Sequence, residues 1–102
     1  MADGHEISIE EAAALTAAYR LSGSYDTNDG RIATAFNKEA LKRLLNQEEC
    51  MGIRCYYAND VDGLLTLVLV GYDDEGNDLL DQLAEFGNPC PDNCSNDNAL
   101  NS

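Results

Sequence analysis

The residues best equipped for chemistry are four cysteines, at positions 50, 55, 90 and 94. Cys50 and Cys55 are separated by four residues. Cys90 and Cys94 are separated by three, in Cys90-Pro91-Asp92-Asn93-Cys94. Four thiolates suffice for a closed structural zinc site, so Cys50, Cys55, Cys90 and Cys94 form one candidate ligand set. Neither gap is the two-residue gap of zinc knuckles and thiol redox motifs. A second reading is a disulfide that joins Cys90 or Cys94 to Cys50, or that closes within the C-terminal segment. A third is free, packed thiols. A nucleophilic role is disfavoured: no Lys, Arg or His lies near Cys90 and Cys94 in sequence, and the surrounding acids would raise a thiol pKa. Cys55 alternates with Ile53 and Tyr57, which predicts a core thiol. Cys50, Cys90 and Cys94 are then the residues expected to tether the chain end.

Other chemistry is thinner. Asp26-Thr27-Asn28-Asp29-Gly30 has the composition of a calcium loop. Aligning Gly30 with the invariant loop glycine places Tyr25 and Phe36 where carboxylates are required. The stretches Asp60–Gly63 and Asp73–Gly76 fail in the same way and read as turns. His5 is the only histidine and lies near the N-terminus. Glu10, Glu11, Asp73, Asp74 and Glu75 read as solvated or capping carboxylates. No catalytic residue is expected, and no cofactor, zinc entering only through the four-cysteine set.

Charge narrows the partners. The net charge is −13. Residues 1–54 carry nine acids against six bases, and residues 55–102 carry ten acids and no base. Such a field repels phosphate backbones and anionic membrane surfaces, which leaves protein partners, a second copy of the chain, or cations. The opening residues have neither a basic nor an apolar leader region, and the longest apolar run, Leu67–Val70, is far short of a membrane span. The expectation is a cytosolic protein with reduced thiols.

These groups must be positioned by an α+β domain. Ser8-Ile9-Glu10-Glu11 is a capping box that starts a helix running to about Arg20, with Ala12, Leu15, Ala18 and Tyr19 as its buried stripe. Residues 21–30 read as a loop. Residues 31–36 read as a short strand or as a lead-in to the next helix. Asn37 caps that helix, whose apolar face is Leu41, Leu44 and Leu45. A β-hairpin follows, 52–58 and 64–72, around Asn59–Gly63. Its second strand is apolar on both faces, so either helices cover both or one face meets another molecule. Tyr56, Val68 and Val70 are the candidate interface residues on that ground. After a turn at 73–77, Asp78 is placed to cap a short helix through Phe86, with Leu79, Leu80, Leu83 and Phe86 inward.

Three stretches together, Ile9–Arg20, Leu67–Asp73 and Pro89–Cys94 with Asn98–Asn101, resemble a group of short bacterial proteins to which no function is assigned. The resemblance spans most of the chain and implies a stand-alone bacterial protein. It transfers no site residues.

The expected architecture is therefore two or three helices on a short antiparallel sheet, with 31–36 as an optional third strand. Residues 1–89 make the domain, and residues 90–102 make a Cys-containing acidic tail packed on it. The expected function is a non-enzymatic interaction protein, in its simplest form self-associating as a homodimer. The alternative is a zinc- or thiol-dependent binding module.

Overall fold

The computed structural model describes residues 4–85, 87–91 and 93–101. Helix α1 (Ile9–Arg20) opens on the expected capping box: the Ser8 hydroxyl accepts from the Glu11 amide at 3.0 Å, and the Glu11 carboxylate accepts from the Ser8 amide at 2.9 Å. Residues 21–30 are not a plain loop, because α2 (Gly23–Thr27) forms a single helical turn there. It ends where Asp29 and Gly30 turn left-handed, and Asn28 binds back to the Ser24 carbonyl. Strand β1 (Ala33–Ala35) leads to α3 (Lys38–Leu45), capped by Asn37, whose side chain accepts from the Ala40 amide at 2.8 Å.

The main sheet has the order β2-β3-β4, all antiparallel: β2 (Gly52–Asn59), β3 (Leu65–Tyr72) and β4 (Asp78–Ala84). The β2–β3 turn is tied by Asp60, whose Oδ1 accepts from the Asp62 and Leu64 amides, while Gly63 takes φ 81°. Asp73 and Gly76 repeat this device in the next turn. That second turn decides the fate of 78–84. It returns the chain beside β3, so the segment forms ladder hydrogen bonds and becomes a strand, where a helix was expected. Leu80 then points outward, 72% exposed, and Leu83 is half exposed. Phe86, assigned to that helix by its sequence, lies outside the described residues.

The optional strand at 31–36 does form, as β1, but it does not join the hairpin. It pairs with β5 (Asn88–Cys90) in a separate two-stranded sheet, Ala33 opposite Cys90 and Ala35 opposite Asn88. The division expected at residue 89/90 therefore falls inside a strand.

The core lies between α3 and one face of the main sheet. Leu44, Leu69 and Ala84 are buried, with Phe36, Ala40, Leu41, Ile53 and Leu67 packed around them. Gly71 makes this approach possible, since a Cβ there would lie 2.9 Å from Cys50 Sγ and 3.0 Å from Gln47 Nε2. The opposite face of β3 is covered from within. Arg54 and Tyr56 stand opposite Val70 and Val68. Arg54 lies over the Tyr72 ring at 5.0 Å and pairs with Asp78. Helix α1 contributes no buried residue. Its expected stripe is displaced: Leu15 and Ala18 are exposed, while Ala12, Ala13, Thr16, Ala17 and Tyr19 are half-buried.

Candidate interaction surface

An apolar groove of about 330 Å³ lies between α1, β1 and the end of the main sheet. Leu15, Thr16 and Tyr19 of α1 line one wall. The β2–β3 register sets Tyr57 opposite Leu67 on the face that α3 also uses. Leu65 and Leu67 form the floor, Ile32 a side, and Leu100 from the C-terminal segment the rim. Leu15 is 65% exposed and Tyr57 86% exposed, so the apolar lining opens to solvent.

Polar contacts hold the groove open. Tyr19 donates its hydroxyl to the Arg31 carbonyl at 2.9 Å. Arg31 donates to Asp60 at 3.0 Å and to the Leu65 carbonyl at 2.9 Å, which clamps β1 to the hairpin turn. The Leu64 amide, and then Arg31, hold the Asp60 carboxyl below its ordinary pKa. Arg20 donates to the Leu100 carbonyl at 2.6 Å, fastening the chain end over the rim. Asn98 and Asn101 fold that end through side-chain-to-backbone turns.

The cysteines do not act as one unit. Cys90 and Cys94 are joined in a disulfide, and Cys50 and Cys55 are free. The tether closes within the C-terminal segment, and Cys50 takes no part in it. Cys50 is half-buried under α3 and donates to the Gly52 carbonyl at 3.2 Å. Cys55 is exposed, which corrects its placement in the core: it has the expected face, but β2 is an edge strand with no neighbour on its outer side among the described residues, and the core beneath α3 takes Ile53 from that strand. With the disulfide closed, the zinc reading has only Cys50 and Cys55 left as thiol ligands. Among the described residues no group of three or more His, Cys, Asp or Glu is placed to hold a metal.

The three interface candidates are also redistributed. Val70 is 1% exposed beneath Arg54 and cannot meet a partner. Val68 is half-buried. Tyr56 is half exposed and donates to Asp78, which also receives Arg54. This bond to the carboxylate raises the Tyr56 pKa, and the same bond is the first cause of the lowered pKa of Asp78. The exposed aromatic is therefore its neighbour, Tyr57. Alternation selects Tyr56 for the interface and sets Tyr57 on the inward face with Ile53 and Cys55; the structure leaves both tyrosines exposed, Tyr57 the more so. Nothing local to Leu15 marks it as solvent-facing.

The chain matches no family model, no curated protein and no solved structure. No described helix is long and apolar enough to cross a membrane.

Proposed function

We propose that this chain is a non-enzymatic interaction protein whose working surface is the groove and the adjoining β2 side of the sheet. The observation that carries the reading is surplus surface. The accessible area is 7347 Å², against roughly 5,700 Å² for a compact monomer of this mass. The radius of gyration is 15.0 Å, against roughly 13 Å for a compact chain of this length. The excess is about twice the roughly 800 Å² that one partner contributes to a standard interface. Large apolar side chains stand exposed where the groove meets β2, namely Leu15 and Tyr57. The charge of −13 favours a protein partner over nucleic acid or an anionic membrane. Self-association through the sheet is the simplest version, and light scattering that shows a strict monomer at high concentration removes it.

A photo-cross-linking phenylalanine analogue in place of Tyr57 tests the surface directly. A discrete adduct is expected from Tyr57, reduced by Leu15→Ser, and none from the still more exposed turn position Val61. Equal labelling from both positions, or none from either, defeats the reading. Cytosolic placement belongs to the same proposal with one condition: a reducing cytosol keeps Cys90 and Cys94 as a dithiol. Alkylation at lysis then labels all four cysteines, whereas an oxidising compartment leaves Cys50 and Cys55 alone labelled.

A further inference from the structure

We infer that the outer edge of β2 is a docking site for an extended segment of a partner protein with basic residues at both ends, added as a further strand of the sheet. This rests on the interaction reading and names the chemistry of the partner.

All eight residues of β2 pair with β3 in unbroken register, and among the described residues no strand pairs with its other edge. Edges are ordinarily blocked by proline, lysine, a bulge, an inward charge or a covering element. The opposite edge is so treated. The β3–β4 register breaks at Val70/Gly71, β4 carries Asp78 and Asp81, and Arg43 of α3 reaches Gln82 and the Leu83 carbonyl. β2 has no proline and no lysine. Its single charge, Arg54, is turned onto the outer face and held by Asp78 and the Gly76 carbonyl. An open, regular edge of eight residues, about 26 Å long, offers main-chain pairing to any strand of that length.

Charge selects among strands. Residues 50–58 contain no acid, yet Glu48 and Glu49 precede them and Asp62 follows, all exposed. Asp60 is occupied by Arg31. Antiparallel pairing of two copies would set Glu48 and Glu49 of each against Asp62 of the other, acid on acid at both ends. The complement is a neutral strand with Lys or Arg at each end. Tyr57 supplies selectivity within the strand. It lines the groove mouth, so the residue paired beside it can turn an aromatic or leucine side chain toward Leu15.

The test uses the full chain and two synthetic ten-residue peptides. Both alternate valine and threonine around a central phenylalanine; one ends in Lys-Arg pairs, the other in Glu-Glu pairs. The basic peptide is expected to shift and protect the amides of Gly52–Asn59 in NMR spectra. It should bind at least about ten-fold more tightly than the acidic one, and lose affinity with salt. In the triple variant Glu48→Lys, Glu49→Lys, Asp62→Lys, which alters only exposed side chains, the preference should invert. Equal binding of both peptides, shifts confined to the Asp73–Asn77 turn, or no binding at millimolar peptide overturns the docking site. So does a dimer in light scattering whose protected amides are those of β2, since a second copy then holds the edge. Cross-linking from Tyr57 that survives such a result leaves the groove standing and removes only the strand partner.

Discussion

Asp78 shows how one carboxylate organises a face. It receives Tyr56 and Arg54, side chains from a strand two places away, and so bridges the outer strands across β3. The consequence is local and measurable. In Asp78→Asn the acceptor charge is gone, so the raised Tyr56 phenol pKa should fall back toward that of ordinary tyrosine. A phenolate absorbance titration reads this, and an unchanged curve refutes the bridge. Gly71 makes a second residue-scale statement. A methyl group there meets Cys50 Sγ at 2.9 Å and the Leu44 carbonyl at 3.4 Å, so Gly71→Ala should cost about 1–3 kcal/mol in chemical denaturation. Adding Cys50→Ala should recover part of that loss, because the nearest atom of the clash is the thiol sulfur.

Caps and turns act at the scale of the element. Ser8 holds both halves of the α1 box, and α1 buries no residue fully, so its attachment depends on end effects more than on packing. Ser8→Ala should destabilise α1 by about 1 kcal/mol. Hydrogen exchange should show the loss in α1 first, with β3 unaffected. The Cys90–Cys94 loop acts on β5 in the same local way. Its closure removes chain entropy worth about 2 kcal/mol for so short a loop, so reduction should lower stability by that order and release the β1–β5 pairing before the main sheet. Element identity was legible where signals were local. Ser8, Asn37, Asp60 and Asp73 each bind the backbone of their own turn, and the structure has all four bonds. Residues 78–84 misled because Asp78 and the leucines at 79, 80 and 83 satisfy helical spacing as well as they satisfy a strand. What decided between them was an open edge of β3, which no local pattern contains.

For the whole molecule the dominant fact is charge. Nineteen acids against six bases repel one another in the compact state, and only two ion pairs are present among the described residues. Repulsion therefore outweighs pairing, and added salt should raise the melting temperature, where a pair-stabilised protein would lose stability. Acid acts differently. Glu11, Asp60 and Asp78 all have lowered pKa values in the folded chain. Their contribution is thus complete above the unfolded carboxylate range of about 4, and is lost as pH falls through the lowered folded values. Denaturation profiles should show a fall below about pH 4 that is smaller in Asp60→Asn, because the amide that replaces this carboxyl does not titrate.

By itself the sequence determined the class of fold, the starts of the two longer helices, the hairpin and its faces, and the sign of the field around the molecule. Each of these rests on residues within a few positions of one another, or on composition. Tertiary structure alone decided that 78–84 extends the sheet, that β1 pairs with β5, that Cys90 closes on Cys94 and not on Cys50, and that Tyr57 and Leu15 face one groove. Those outcomes depend on which surfaces meet across long stretches of chain. An edge strand and a central strand can share one alternating pattern, and only the neighbours present in space make Val70 core and leave Tyr57 exposed.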